Sequence, residues 1–440
     1  MQQTNLTRNI LIGMVLGIVL GSAAYDGDSI LPGVLGEIAG WTGLSEDNFL
    51  RVYLIEGLFD IGGKIFIISL KLLVVPLVFV SLVCGASNLG DGSSMGRIGL
   101  KTMALYLFTT AVAISIALFV ATLINPGNGI NLTSAAEFVS KESPPLKEVI
   151  INIVPSNPIR AMSEGNMLQV IVFAILIGIS ITKCGEAGRR IKSHLEDWNE
   201  VVMRLVLMLM SVAPFGVFCL LITLFSNMGF TTIADLLKYF LTVAGVLVIH
   251  FLITYGLMVR FIARLDPRIF VSHMWPVMVY AFSTSSSNAT LPVTLRTVEG
   301  KIGVKNEVAS FTVPLGATIN MDGTAIMQGV ATVFIAQAFN VEIGMTGYLM
   351  VILTATLASI GTAGVPGVGL ITLALVLQQV GLPVEGIALI IGVDRLLDMM
   401  RTAVNVTGDA TVSAIVARSE DKFNLDVFLS SGEHQPVKGT

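Results

Sequence analysis

The sequence predicts an all-α membrane protein, and three observations support that fold class. Of its 440 residues, 54% are hydrophobic and only 13% are charged, whereas a soluble chain carries roughly a quarter charged residues. The mean hydropathy is +0.82, and the longer apolar runs have the length of membrane helices. The formal net charge of −4 and the lack of a basic run argue against nucleic-acid binding.

Apolar runs in the first part of the chain predict membrane helices at Ile10–Ala24, Phe59–Leu89, Leu100–Ile124, Met167–Thr182, Val201–Phe225 and Leu236–Ile262. Residues 1–8 lack a signal-peptide cleavage pattern, so we expect the first run to be retained as a membrane helix. An acidic loop follows over residues 26–47, and the polar, proline-rich stretch Gly127–Gly165 predicts an irregular segment. Basic residues lie in alternate connections, which predicts a cytoplasmic N-terminus.

The pattern changes in the last third of the chain, where two apolar segments are rich in Gly, Ser, Thr and Pro. They are Phe282–Leu295 and Leu357–Leu373, and neither predicts a clean crossing of the bilayer. Turns at Ser285–Ser287 and Gly364–Gly367 instead indicate two helical hairpins that enter the membrane and turn back. Each hairpin precedes a helix with polar residues, Phe311–Ala338 and Ile387–Arg418. This repetition is typical of inverted repeats, which place a binding site near the middle of the membrane.

A polar stripe runs along the last of these helices. Steps of four, three, four and four residues place five polar side chains on one helical face, namely Asp394, Asp398, Arg401, Asn405 and Asp409. A charged group at the centre of a bilayer costs at least ~2.5 kcal/mol. The stripe must therefore face a protein interior or a watery cavity.

The motif Asn-Met-Asp-Gly at residues 320–323 interrupts the other polar helix. All but Met lower helix propensity, so an unwound turn with exposed carbonyl groups is expected there. Counted against Arg401 alone, four acidic residues leave excess negative charge: Asp322, Asp394, Asp398 and Asp409. Such groups are protonated, paired with bound cations or paired with a cationic ligand group. Carboxylate, amide and carbonyl oxygens suit hard cations such as sodium.

Arg401 has two interpretations. Its guanidinium fork suits a carboxylate ligand, which predicts a carrier for a carboxylate-bearing solute coupled to cations. Alternatively, Arg401 forms a structural ion pair with Asp394 or Asp398 one turn away. His194, His250 and His273 have no partner at metal-ligand spacing and are expected to be ordinary polar or interfacial residues.

Four motifs resemble the dicarboxylate/amino acid:cation symporters, a family that includes sodium-coupled glutamate and aspartate transporters. They are SSSNATLPVT at Ser285–Thr294, NMDGT at Asn320–Thr324, ASIGTAGVPG at Ala358–Gly367 and DRLLDMMRTAVNVTGD at Asp394–Asp409. The resemblance covers nearly the whole chain. It implies eight transmembrane helices plus two re-entrant hairpins, arranged as inverted repeats in an elevator-type homotrimer in the lipid of the cytoplasmic membrane, with both termini cytoplasmic.

The resemblance also implies a division of the chain. Residues 1–96 would form scaffold helices 1 and 2, and residues 129–230 scaffold helices 4 and 5. Residues 97–128 would form transport-domain helix 3, and residues 231–420 the remainder of the transport domain. Residues 421–440 would be a cytoplasmic tail.

The resemblance implies a substrate site in which Arg401 binds the side-chain carboxylate of an acidic amino acid and Asp398 binds its amino group. The other substrate residues would be Thr324, Asn405, Ser286, Ser287, Thr402 and the hairpin tip from Val365 to Gly369. One sodium ion would bind Asn320, Asn405 and Asp409, and a second Thr109, Thr110, Asn320 and Asp322, with Tyr106 beside it. A third would bind Thr318 with carbonyls of the second hairpin, and Gly316 belongs to the same sodium-binding region.

Two positions depart from the family pattern. Members that carry acidic substrates usually have a further arginine at the position of Ser285 or Met399, and this chain has neither. Gln328 stands where animal members have a glutamate tied to proton and potassium coupling. Sodium coupling without potassium countertransport is therefore expected.

Several rival functions are weighed against this one. A C4-dicarboxylate carrier, coupled to sodium or protons, is disfavoured because Asp398 would repel a second carboxylate. A proton-coupled carrier would take up substrate along a pH gradient without sodium. An intramembrane aspartyl protease would need Asp322 and Asp394 to share a proton, which Arg401 would disturb. A channel would need a continuous polar path, and ATP-driven transport would need a Walker motif, which is missing.

Overall fold

The computed structural model describes residues 2–23, 49–87, 94–129, 151, 154–228, 231–360, 362 and 364–430. Within those residues the fold is helical, with one isolated antiparallel bridge between Val304 and Phe423. The helices are α1 Gln2–Ala23, α2 Asp60–Ser87, α3 Ser94–Ile124, α4 Pro158–Glu164, α5 Met167–Lys183, α6 Gly185–Ser211, α7 Ala213–Met228, α8 Thr231–Ile249, α9 Pro267–Thr284, α10 Ser287–Thr297, α11 Asn306–Ile319, α12 Asp322–Ala338, α13 Gly344–Ser359, α14 Val368–Gln379, α15 Ile387–Ser419 and α16 Leu425–Leu429. The acidic loop expected at 26–47 lies outside the described residues.

Two of the long helices include π-helical segments. Phe49–Phe59 leads directly into α2, and α8 continues through His250–Tyr255 and Met258–Ile262. Of the predicted irregular segment 127–165, residues 130–150, 152 and 153 lie outside the described part of the chain. Its described end contains α4, which begins after the N-cap residue Asn157 and ends at Gly165, a left-handed residue. The prediction missed this short helix, since its proline stands at the first helical position, where a missing N–H group is tolerated.

The prediction of one continuous helix over Val201–Phe225 is wrong, because the structure has two helices there. Helices α6 and α7 meet at an angle of 48°. Pro214 lies at the start of α7 and has no N–H group to continue the hydrogen bonding of α6. Helix α6 also begins well before the predicted span, since its first half is the charged sequence GEAGRRIKSHLEDWNE and only its second half is apolar.

The broken segments of the last third lie where the sequence predicted turns. Helices α9 and α10 form a first helix pair, which turns at Ser285 in the left-handed conformation with φ of 50°. Helices α13 and α14 form a second pair, joined by residues 360–367, and the members of each pair pack against each other. Asn320 and Met321 interrupt the polar helix between α11 and α12, as the Asn-Met-Asp-Gly motif predicts.

The helices pack in two sets. Helix α2 packs against α5, α6 and α7, and α1 packs along α7. Helix α15 packs against α8, α9, α11 and α12, while α3 lies against α12 and α13. Helix α15 is buried over most of its length, so its polar stripe lies inside the second set of helices and not on the outer surface.

Three helices are long and apolar enough to cross a membrane, and the bent pair α6–α7 makes a fourth. The three are Tyr53–Ser87, Arg97–Ile124 and Asp235–Ile262, counted over the described residues only. The family resemblance implies eight crossings. Length and hydropathy do not identify α15 as a crossing, because its charged stripe lowers its mean hydropathy. They do not identify α11 and α12 either, because the break at Asn320 divides them into two shorter helices.

Candidate functional site

Arg401 lies at the centre of the buried polar residues. Its side chain is fully buried, with Nη1 2.9 Å from Asp394 Oδ1 and Nη2 2.9 Å from Asp398 Oδ1. The helical spacing of residues 394, 398 and 401 brings both carboxylates beside one guanidinium group. Nε has no hydrogen-bond partner among the described residues, and Nη1 and Asp394 Oδ1 form an ion pair without a hydrogen bond. The structural ion pair considered from the sequence is therefore present.

Two glycines allow other helices to approach Arg401. A Cβ atom at Gly323, near the start of α12, would lie 2.7 Å from the carbonyl oxygen of Arg401. A Cβ atom at Gly369, near the start of α14, would lie 3.3 Å from both Arg401 Nη2 and Thr324 Cγ2. Because the beginnings of α12 and α14 meet the middle of α15, their N-terminal N–H groups and dipoles favour an anion there.

The turns of the two helix pairs touch each other close to this cluster. Ser286 Oγ donates a hydrogen bond to the carbonyl oxygen of Gly364 at 2.7 Å, and the Asn288 N–H group donates to the same oxygen at 3.2 Å. Ser287 is buried, and Val365 is half-buried. The Gly367 N–H group lies 3.3 Å from Asp398 Oδ2. The turn of the second pair therefore contacts the charged cluster directly.

A second group of polar residues forms where the break between α11 and α12 meets α15. Asn320 Nδ2 donates hydrogen bonds to Asp409 Oδ1 at 2.9 Å and to the Asn405 carbonyl oxygen at 3.0 Å. Asn320 Oδ1 is buried without a hydrogen-bond partner among the described residues. At Gly316, a Cβ atom would lie 2.5 Å from Tyr106 Oη and 2.7 Å from Asp409 Cγ. The glycine keeps this space open beside the oxygens of Asp409 and Tyr106.

Asp322 is fully buried, and three side chains contact its carboxyl oxygens. Thr110 Oγ1 donates to Oδ1 at 2.6 Å, Tyr255 Oη donates to Oδ2 at 2.7 Å, and His250 Nε2 lies 3.2 Å from Oδ2. Sequence reasoning missed Tyr255, and its expectation that His250 is an ordinary polar or interfacial residue is wrong. His250 is fully buried, and no spacing signal links it to a residue 72 positions away.

Several other predicted site residues bond to nearby main-chain carbonyl groups. Thr109 donates to the Tyr106 carbonyl oxygen, Thr402 to that of Asp398, Thr318 to that of Leu315 and Tyr106 to that of Thr312. Thr110 Oγ1 lies 2.8 Å from the Tyr106 carbonyl oxygen, which shares the one hydroxyl hydrogen of Thr110 with Asp322. Asn405 Oδ1 accepts a hydrogen bond from the Gly323 N–H group at 2.7 Å. Thr318 is exposed and lines a cavity of about 230 Å³ with Asn288 and Thr362.

The charge count made from the sequence is incomplete, since it omitted Arg395. This side chain is only 7% exposed, and its Nη1 lies 3.4 Å from Asp398 Oδ2. Two carboxylates and two guanidinium groups therefore share the Arg401 cluster. Asp322 and Asp409 form no ion pair with a lysine or arginine among the described residues, and their side-chain contacts are Thr110, Tyr255 and Asn320, with His250 in contact with Asp322.

The chemistry of the Asp322 and Asp409 region suits a hard cation. Among the residues that the structure describes, no three His, Cys, Asp or Glu side chains are grouped as metal ligands. Hydroxyl, amide, carbonyl and carboxylate oxygens converge there instead, and these are the ligands that hard cations prefer. The Arg401 region suits a ligand with both a carboxylate and a cationic group.

Long apolar helices, interrupted helices and a buried ionic site together define a helical membrane transporter of the secondary type. The chain belongs to the sodium:dicarboxylate symporter family, whose model matches residues 6–419. The protein is therefore a symporter and not an enzyme.

Two bacterial relatives match almost the whole chain. A proton/glutamate-aspartate symporter of Escherichia coli is 33% identical over 433 residues, which cover 96% of this chain and 94% of the relative. A proton/sodium-glutamate symport protein of Bacillus subtilis is 31% identical over 428 residues, covering 95% and 94%. A C4-dicarboxylate transport protein of Rhodospirillum rubrum is 34% identical over 380 residues, covering 83% of each chain.

Proposed function

We propose that this protein is a sodium-coupled importer of aspartate or glutamate in a prokaryotic cytoplasmic membrane. The observation that carries the proposal is the fully buried guanidinium of Arg401 between two carboxylates, with the start of α14 beside it. A buried guanidinium recognises a carboxylate through its fork of N–H groups. Asp398 beside it offers an anionic partner for an ammonium group, so the pair matches an acidic amino acid.

In this proposal the substrate displaces the ion pairs that Arg401 forms with the neighbouring carboxylates. The side-chain carboxylate of the substrate binds Arg401, and its amino group binds Asp398. Thr324, Asn405 and Thr402 contact its remaining polar groups. Ser286, Ser287 and the turn from Val365 to Gly369 close over it, which the contacts between the two turns support.

Sodium would enter the region that has negative charge but no positive partner. Asp409, Asn405 and Asn320 hold one ion, which would give Asn320 Oδ1 the partner that it lacks. Asp322, Thr109, Thr110 and Asn320 hold a second beside Tyr106, and Thr318 with carbonyls of the second helix pair holds a third. Gly316 leaves space beside Asp409. Cations neutralise these buried carboxylates and so couple ion binding to substrate binding.

The transport step is proposed to be an elevator movement within a homotrimer that has both termini in the cytoplasm. Helices α1, α2, α5, α6 and α7 would form the scaffold. The remaining helices, apart from the peripheral α4 and α16, would move as the transport domain. The division of the packing into two sets of helices supports this mechanism.

A C4-dicarboxylate carrier is the second candidate, and the relative from Rhodospirillum rubrum favours it. Such a substrate has no ammonium group for Asp398. A second carboxylate at that position would be repelled by Asp398, and this repulsion discriminates against the C4-dicarboxylate.

The test is uptake of radiolabelled L-aspartate into proteoliposomes at equal internal and external pH, with an inward sodium gradient or with choline. Sodium-dependent uptake that excess L-glutamate inhibits, and that excess succinate does not, is expected. Uptake that follows a pH gradient in choline would show proton coupling instead. Strong inhibition by succinate with none by L-glutamate would favour the C4-dicarboxylate carrier.

A further inference from the structure

The charged side chains around Arg401 are balanced, and the balance depends on Arg395. Asp394 and Asp398 carry two negative charges, and Arg395 and Arg401 carry two positive charges. Asp398 divides its oxygens between the arginines, with Oδ1 2.9 Å from Arg401 Nη2 and Oδ2 3.4 Å from Arg395 Nη1. Arg401 alone would leave this cluster with a net negative charge.

Arg395 lies in surroundings where a charge acts strongly. It borders a small cavity of about 30 Å³ between the turn of the second helix pair and helices α6 and α7. The cavity wall is apolar at Pro366, Met210 and Val217 and charged at Asp394 and Asp398. Because Arg395 is largely buried, the effective dielectric constant around it is below that of water, and electrostatic interactions weaken less with distance than they do in water.

We propose that Arg395 is a positioning residue of the substrate site, which holds Asp398 and balances its charge while Arg401 binds the side-chain carboxylate of the substrate. The inference rests on the proposed function and names a residue to which neither the family resemblance nor the known relatives assign a role. The chain lacks an arginine at positions 285 and 399, and Arg395 supplies a second positive charge from a different helical position.

The geometry explains why Arg401 needs this help. In the empty site Arg401 Nη2 is engaged by Asp398, so an incoming carboxylate must displace that contact. A buried carboxylate without a partner is strongly unfavourable. Arg395 stays beside Oδ2 of Asp398 during the exchange, and Asp398 keeps one guanidinium partner until the substrate ammonium group arrives. Removal of Arg395 strengthens the competition of Asp398 for Arg401 and adds a net negative charge that repels an acidic substrate.

Four variants of the chain test this inference. Arg395→Gln removes the charge, and Arg395→Lys keeps it without the guanidinium fork. Arg160→Gln is the matched control, since it removes one arginine charge from an exposed ion pair with Glu164 outside the site. Arg395→Met, which suits the apolar cavity wall, is a second charge-removing variant in case the glutamine variant does not fold. The probe is L-aspartate, with binding measured by calorimetry at fixed sodium and pH and uptake measured in proteoliposomes.

Arg395→Gln is expected to weaken L-aspartate binding on the order of tenfold or more, as one unit charge several ångströms away does at an intermediate dielectric constant. KM should rise with it, while the maximal rate stays within about threefold, because the lost interaction acts on binding. Arg395→Lys should recover most of the affinity. Arg160→Gln should match the wild type.

Three results would overturn the inference. Unchanged L-aspartate affinity in Arg395→Gln would show that Arg395 does not balance Asp398 during binding. A fall in the maximal rate with unchanged affinity would place its role at the contact with α7. Equal damage in the lysine and glutamine variants would mean that charge is not the property that matters. If the wild type itself fails to bind L-aspartate, the proposed function fails, and that result is distinct from the others.

Discussion

Two buried ionic regions border helix α15, and they differ in the groups that pair with their carboxylates. Around Arg401, two carboxylates face two guanidinium groups, so positive charges of the protein itself balance the cluster. Around Asp322 and Asp409, the contacting groups are hydroxyl and amide groups and the ring of His250. Guanidinium groups pair with the carboxylates of the first region, and no lysine or arginine among the described residues pairs with those of the second.

This difference in ion pairing suits the two regions to different ligands, the substrate and the cation. In the first region, a carboxylate of the substrate can replace Asp398 at Arg401, and the ammonium group of the substrate can replace Arg401 at Asp398. A region with uncompensated carboxylates needs a cation or a proton before it is stable in a low-dielectric interior. In the proposed function, substrate specificity resides in the first region and ion coupling in the second, and both regions border α15.

Arg401→Ala is expected to have the largest effect. It removes the guanidinium that is proposed to bind the side-chain carboxylate of the substrate, and loss of one partner of a buried charge pair costs about 2–5 kcal/mol of binding free energy. L-Aspartate binding should therefore fall by roughly thirtyfold or more, at about tenfold for each 1.4 kcal/mol. Calorimetry on protein that remains monodisperse in size-exclusion chromatography checks this.

The exposed Arg160→Ala is the control for Arg401→Ala and should bind L-aspartate normally. Retained affinity in Arg401→Ala would break the comparison, because Arg401 would then have the structural role alone and the first region would not be the substrate site.

Asp409→Asn tests the second region in the same way. The amide keeps the shape and an oxygen for the hydrogen bond from Asn320, but it removes a negative charge, and ligand charge tunes cation affinity. The sodium concentration for half-maximal L-aspartate uptake should rise by roughly tenfold. Asp426→Asn, an exposed residue beyond α15, should leave the sodium titration unchanged. An unaltered titration in Asp409→Asn would remove this residue from the ion site.

Sequence patterns identify the parts of the site that lie on one helix. Residues 394, 398, 401, 405 and 409 share a face of α15 because a helix turns every 3.6 residues, and the break at Asn320 follows from local propensity. Arg395 escaped this reasoning since it lies one position away from the stripe. Its long side chain nevertheless returns to Asp398 at the i, i+3 spacing.

Contacts between distant helices could not be predicted from any local pattern. Tyr255 and His250 reach Asp322 over 67 and 72 positions, and Ser286 reaches Gly364 over 78. Each contact depends on how helices pack, which the sequence of one segment does not specify. The bend at Val212 was missed for a related reason, because the apolar composition continues through it.

Gly316→Ala sharpens the comparison with a smaller change. The added methyl group would lie 2.5 Å from Tyr106 Oη and 2.7 Å from Asp409 Cγ, which is closer than van der Waals contact allows. Overpacking of this kind costs about 1–3 kcal/mol. Sodium affinity should fall several-fold while L-aspartate affinity at saturating sodium changes little, because the methyl group is not at Arg401. Sodium titrations of binding and of thermal stability check both expectations.

Gly245→Ala is the matched control for Gly316→Ala. No atom lies within 4 Å of a Cβ at Gly245 in α8, so the change should be neutral or slightly stabilising. Equal loss of sodium and L-aspartate affinity in Gly316→Ala would show that the two regions are one site.

The smallest effect is expected where α15 ends and its charges meet water. Glu420 lies 2.6 Å from Arg97 Nη2 and 2.5 Å from Lys101 Nζ, and the hydrogen bonds from these groups lower the pKa of its carboxyl group from 4.5 to about 2. A lowered folded-state pKa stabilises the fold above pH 4.5, and the stabilisation is lost as the pH falls towards 2. Glu420→Gln should lower the Tm at pH 7 by about 1 °C or less, since its partners Arg97 and Lys101 reach water, which screens the pairs.

The Tm difference between the wild type and Glu420→Gln should stay constant from pH 8 to about 5 and shrink below pH 4.5, and added salt should reduce it. Glu164→Gln is the control, because it breaks an ion pair in which both side chains are exposed. Its Tm should change by no more than that of Glu420→Gln. A large, salt-insensitive loss in Glu420→Gln would contradict the contrast between buried and exposed charges. The end of α15 would then need its ion pairs as much as its centre does.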